Sequence, residues 1–149
     1  MGDYRKLVAW HRARLLAVTV YRTTEDFDAR ERFGLANQMR RAAVSIVSNI
    51  AEGANRGSDR ELRRFLWIAR GSLGELEAQI TIASDLELIT DTQASALAQA
   101  ALATGRPIAG LLRRLTKLTR RIPATRHPRP ATTVEQTTAP TPDSPPTST

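Results

Sequence analysis

The sequence predicts an all-α protein: an antiparallel up-down-up-down four-helix bundle followed by a disordered C-terminal tail. Three observations carry this. Apolar residues recur at helical spacing through residues 4–122, and no stretch alternates with period two. The breaks at 53–57 and 89–90 are too short for anything but antiparallel neighbours. Seven of the eight prolines fall in residues 123–149, where Val134 is the only large aliphatic residue. Such a segment cannot offset the entropy of ordering its chain. Its charges also cancel, Arg126 and Arg129 against Glu135 and Asp143. Residues 1–122 are therefore read as the bundle and 123–149 as a Pro/Thr-rich disordered tail.

The first helix is expected from about Tyr4 to Thr23, with Leu7, Val8, Trp10, Leu15, Val18 and Tyr21 as a broad apolar face. The second runs from about Ala29 to Glu52. Its apolar set is Phe33, Leu35, Met39, Ala42, Ala43, Ile46 and Ile50, and Gly53 follows as the stop. The third opens at a capping box, Ser58-Asp59-Arg60-Glu61, and continues through Leu62, Phe65, Ile68, Ala69, Leu73, Leu76, Ile80 and Ala83 to about Leu88. A second capping box, Thr90 to Gln93, opens the fourth. There Leu97, Ala101, Thr104, Ile108, Leu111, Leu115, Leu118 and Ile122 form a seven-residue repeat, the seam of a helix packed along its length. Gly105 and Pro107 interrupt it and predict a kink near 103–107.

Composition excludes much chemistry. With no Cys, disulfide scaffolds, Cys-ligated zinc and thiol catalysis are out. Two histidines, His11 and His127, cannot build a His cluster in one chain. Neither a phosphate-binding Gly-rich loop ending in Lys-Ser/Thr nor a helical His-Glu-x-x-His motif occurs. Ser45, Ser48 and Ser72 have no nearby His to activate them. No enzymatic activity, metal or cofactor is expected. No apolar run approaches a membrane span of roughly 18 residues, and no signal-peptide core is seen, so the expected location is cytoplasmic, with no membrane partner. Aromatic residues, at 5%, are too few for a sheet that stacks many bases.

Two polar groups read as structural. Asn49, Glu52 and Arg56 form a layer that ends helix two and ties down the following turn. With that turn centred near residue 55, Arg41 faces Arg70 and Gly71, and Glu75 becomes the carboxylate partner of a buried Arg40 or Arg41. Gly71, Ser72 and Gly74, costly in a helix interior, imply a close helix approach.

Residues 38–53, QMRRAAVSIVSNIAEG, are followed by Arg56 and by FLWIARGSLGELE at 65–77. Together with the start from Leu7 to Tyr21, this resembles the four-helix-bundle family named for proteins encoded in 23S ribosomal RNA intervening sequences. That family also includes accessory variability proteins of diversity-generating retroelements. The likeness covers roughly residues 4–118. It implies a bundle that assembles into a homopentamer, without enzymatic activity. The retroelement members bind a reverse transcriptase and nucleic acid. Pro107 and the tail depart from the family pattern.

Charge points the same way. Lys plus Arg is 22, of which 20 are Arg, against 15 acids, a net charge of +7. Residues 71–105 hold five acids and no base; residues 106–121 hold six bases and no acid. Antiparallel topology sends Arg5, Lys6, Arg56, Arg60, Arg63, Arg64, Arg113, Arg114, Lys117, Arg120 and Arg121 to one end of the bundle. Glu25, Asp26, Asp28, Glu31, Asp85, Glu87 and Asp91 go to the other. An Arg-rich end suits phosphate contacts without sequence readout. The expected nucleic-acid-binding residues are Arg60, Arg63, Arg64, Arg113, Arg114, Lys117, Arg120 and Arg121, with RNA or DNA as ligand and a reverse transcriptase as protein partner. The alternative is a scaffold that binds protein and not nucleic acid.

Overall fold

The structure, a computed structural model, describes residues 3–28, 30, 31 and 34–121, with the side chains of 119–121 excepted. The tail assigned to 123–149, and Phe33 and Ile122 of the expected apolar sets, lie outside the described residues. A 3-10 turn, Tyr4–Lys6, leads into α1 (Val8–Thr23). Then come α2 (Leu35–Asn55), α3 (Asp59–Asp85) and α4 (Asp91–Arg121). Helix α1 packs on α2 and α4, and α3 packs on α2 and α4. The four helices thus stand at the corners of a square, each antiparallel to the next, as expected.

Local sequence explains most helix ends. Ser58 Oγ accepts the Glu61 amide at 3.2 Å and opens α3. The box is only half made, because the Glu61 carboxylate goes to Arg64 instead, at 3.3 Å. The Thr90 box is complete: Gln93 Oε1 accepts the Thr90 amide at 2.8 Å and Thr90 Oγ1 accepts the Gln93 amide at 3.2 Å. Helix α2 does not stop at Gly53. It runs two residues further, and Gly57, at φ +76°, makes the left-handed turn. Gly53 serves packing instead: a Cβ there would lie 2.7 Å from Phe65 Cβ.

At the end of α3 the Leu88 amide bonds the Ala83 carbonyl and the Glu87 amide bonds the Ser84 carbonyl, both at 2.9 Å. This is the paired closure in which glycine usually takes the left-handed position. Here Glu87 occupies it, at φ 55°. A left-handed non-glycine residue costs about 1–2 kcal/mol, and a carboxylate at a helix C-terminus opposes the dipole. Glu87→Gly is expected to stabilise the fold by about 1 kcal/mol, raising the thermal midpoint read by circular dichroism. A lowered midpoint would mean that Glu87 has a stabilising contact that offsets its strain.

The core is aliphatic and alanine-rich. Leu16, Met39, Ile46, Ile50, Leu66, Leu76, Leu97, Ile108 and Leu115 are fully buried, each contributing about 1.5–3 kcal/mol relative to exposure. Helix α1 turns a different face inward from the one expected. Ala9, Ala13, Leu16 and Val20 are buried, whereas Val8, Leu15, Val18 and Tyr21 are exposed. The helix carries two apolar stripes, and the one with small residues faces the bundle. In α3, Leu66 takes the inward place expected of Ile68, which is exposed. The α4 seam holds at Leu97, Ala101, Thr104, Ile108 and Leu115, but Leu112 takes the buried place expected of Leu111, and Leu118 is exposed. A 3.6-residue helix drifts from a strict seven-residue repeat. Helix α4 continues unbroken through Pro107.

The expected Arg–Glu75 pair is absent. Arg40 donates from Nε to Thr24 Oγ1 at 2.8 Å and from Nη2 to the Thr24 carbonyl at 3.0 Å, with its guanidinium 5.0 Å from the Tyr21 ring centre. It thereby caps the C-terminus of α1 from the side of α2. Arg41 and Glu75 are both exposed. The reason is register: with α2 extending to Asn55, the turn shifts several residues along, and Ser45, not Arg41, meets Ser72. Their hydroxyls lie 2.8 Å apart. Asn49 joins this pair, donating to the Ser45 carbonyl at 2.8 Å and Oγ at 3.1 Å. It is therefore separate from Glu52 and Arg56, which pair with each other at 2.6 Å. Ser72 is buried in the α2–α3 contact, but Gly71 and Gly74 face outward with nothing within 4 Å of an added Cβ. Among the described residues, no helix approaches them.

Candidate nucleic-acid interface

The C-terminal half of α4 sets the site. Leu112 and Leu115 turn into the core, which forces Arg113, Arg114 and Lys117 outward on two flanks. On one flank Arg113 and Lys117, one helical turn apart, line a groove with Trp67 and Arg70 of α3 and Ala109, Leu112 and Thr116 of α4. Its volume is about 440 Å³. On the other flank Arg114 lines a groove with Lys6, Leu7, Val8 and Ala9 at the start of α1 and with Pro107, Gly110 and Leu111 of α4. Among the described residues, no carboxylate lines either groove. The antiparallel α3–α4 register, marked by Gly105 against Leu73, places Arg60, Arg63 and Arg64 beside residues 114–118.

The basic end is thus assembled from all four helices. It also holds four acids, Asp3, Glu52, Asp59 and Glu61. Three of these are taken: Asp3 by Arg5 at 3.6 Å, Glu52 by Arg56 at 2.6 Å and Glu61 by Arg64 at 3.3 Å. Arg56 and Arg64 also lie over Phe65, at 5.7 and 4.6 Å. Among the described residues, Lys6, Arg60, Arg63, Arg70, Arg113, Arg114 and Lys117 form no ion pair. The side chains of Arg120 and Arg121 lie outside the described residues. Glu25, Asp26, Asp28, Glu31, Asp85, Glu87 and Asp91 sit at the opposite end, as expected, although Arg22 and Arg30 share it.

Trp67 and Arg70 are functional candidates that the charge argument missed. Their spacing of three residues places them on one face of α3, but only the roll of that helix shows the face to be open. A third groove, between α1 and α2, has Val18, Tyr21, Val44 and Val47 among its lining, with Arg14 and Arg22 beside them. Among the described residues no group of His, Asp or Glu could hold a metal ion, and no helix is long and apolar enough to cross a membrane.

Fold and site together define a small all-helical bundle protein with a one-ended basic surface. The chain belongs to the 23S rRNA-intervening sequence protein family, whose profile matches residues 5–110. Among solved structures it is similar to a protein of unknown function from the S23 ribosomal protein family of Bacteroides thetaiotaomicron, at 20% identity and a TM-score of 0.57. The match covers 74% of this chain and 97% of that one. No curated protein matches the sequence.

Proposed function

We propose that the protein is a non-enzymatic, cytoplasmic, oligomeric accessory protein that binds nucleic-acid backbones through its basic end. The observation that carries this is the state of the charges: the acids at that end are largely consumed by Arg5, Arg56 and Arg64, while Arg60, Arg63, Arg113, Arg114 and Lys117 have no carboxylate partner among the described residues. Arginine forks match phosphate oxygens, and an unneutralised cationic end attracts a polyanion at long range. Self-association into the homopentamer implied by the resemblance would repeat the patch. A reverse transcriptase is the protein partner that the retroelement resemblance supplies.

The test is a salt series with random-sequence RNA and DNA. Affinity should fall linearly on a log–log plot, with a slope of about 0.7–0.9 for each phosphate contact. A flat salt response, or no binding at low salt, would overturn the proposal. The scaffold reading would then lead, and the α1–α2 groove with exposed Val18, Tyr21 and Val44 is the surface that favours it.

A further inference from the structure

Every nucleic-acid phosphate looks much the same, but single and double strands differ in what their bases present. An unpaired base offers its face; a paired base inside a duplex does not. Among the described residues, one large aromatic side chain at the basic end is exposed. Trp67 stands 54% exposed at the basic end. Other aromatic rings of that end are committed to the fold. Phe65 is covered by Arg56 and Arg64, and Tyr4 packs edge-on against Trp10 at 5.1 Å.

The surroundings of Trp67 are equally specific. The Arg70 guanidinium lies 5.1 Å from its ring centre, a cation–π contact that holds a planar charged group beside the indole. Across the groove, α4 presents Arg113 and Lys117, with the Thr116 hydroxyl between them in sequence and Leu112 on the groove wall. An aromatic face beside cations, in a groove that no described acid lines, is the arrangement in which a base stacks while its flanking phosphates meet the charges. A solitary exposed tryptophan is unremarkable; one flanked by three cations outside any ion pair is a platform.

We infer that Trp67, with Arg70, Arg113 and Lys117, stacks an unpaired nucleobase, so that the ligand of the basic end is single-stranded rather than duplex nucleic acid. This deepens the proposed function and rests on it. One ring accepts about one base, so the platform selects strandedness and not sequence.

The test compares the full-length chain with its Trp67→Leu and Trp67→Phe variants. The probes are labelled oligo(U), oligo(dT) and a blunt DNA duplex, each measured by fluorescence anisotropy at several salt concentrations. Trp67→Leu should weaken binding to both single strands about tenfold and leave duplex affinity and the salt slope unchanged. Trp67→Phe should keep most of the single-strand affinity. In a Trp10→Phe background, either single strand should quench the remaining tryptophan emission and the duplex should not. Unchanged single-strand affinity in Trp67→Leu would overturn the platform and leave phosphate binding standing. Absence of binding to every probe by the unaltered chain would overturn both. Light scattering on the same samples covers the remaining outcome: if Trp67→Leu weakens all probes equally and lowers the assembly mass, Trp67 is a contact between copies and the inference falls.

Discussion

A chain carrying Arg113→Gln, Arg114→Gln and Lys117→Gln together is expected to bind random-sequence RNA or DNA on the order of a hundredfold more weakly near 0.1 M salt. Three lost phosphate contacts should also lower the log–log salt slope by roughly 2–2.7. Glutamine keeps these positions polar and helix-compatible while it shortens the side chains and removes their charge. All three are exposed, while the core positions of the same turns are Leu112 and Leu115, so helicity and thermal midpoint should not change. The matching control is Arg22→Gln, Arg30→Gln and Arg41→Gln, also exposed but away from the basic end. It makes the same change in net charge and should cost far less affinity. Equal losses in the two triple variants would reduce the site to bulk charge. No loss in a folded basic-end variant would remove the site altogether.

Gly53→Ala is expected to destabilise the bundle by about 2 kcal/mol, against the usual preference for alanine in a helix. The added Cβ would sit 2.7 Å from Phe65 Cβ and 3.3 Å from the Leu62 Cα. Neither atom is the end of a flexible chain, so α2 and α3 must part, and the Ser45–Ser72 contact two turns away is strained with them. Gly71→Ala and Gly74→Ala provide the contrast. Nothing lies within 4 Å of either new Cβ, so each should gain up to about 1 kcal/mol of helix propensity. Urea denaturation separates the two cases. A neutral Gly53→Ala would mean that the helices are spaced more widely than the contact requires. A loss at Gly71 or Gly74 would reveal another copy of the chain packed against that face.

The parts of the fold legible in the sequence are those where one feature had one meaning. Helix α2 has a single apolar stripe, and the expected core positions Met39, Ala43, Ile46 and Ile50 are all buried. Helix α1 has two stripes. Choosing the bulkier one put Val18 and Tyr21 inside, because side-chain size was taken as the guide where the spacing between helices decides. The misplaced stop had the largest consequence. Gly53 and Gly57 are both credible helix ends by composition, and only the left-handed φ at Gly57 distinguishes them. Taking the first displaced the α2–α3 register and created the false partnership of Arg40 or Arg41 with Glu75. The basic end survived these errors because it depends on topology alone: whichever way each helix rolls, its ends stay where the connections put them. Trp67 was illegible for the opposite reason, since its exposure depends wholly on the roll of α3.

The alternating directions of the four helices have an electrical consequence. A single long helix is an electric dipole, but at each end of this bundle two helices start and two finish, so the backbone contributions largely cancel. The lopsided potential of the molecule therefore originates in its side chains. Such a molecule experiences a torque in the field of a polyanion and turns before it touches. Encounter would be end-on, with the acidic pole trailing, and the sense of that rotation could be reversed by exchanging surface residues without altering a single core contact.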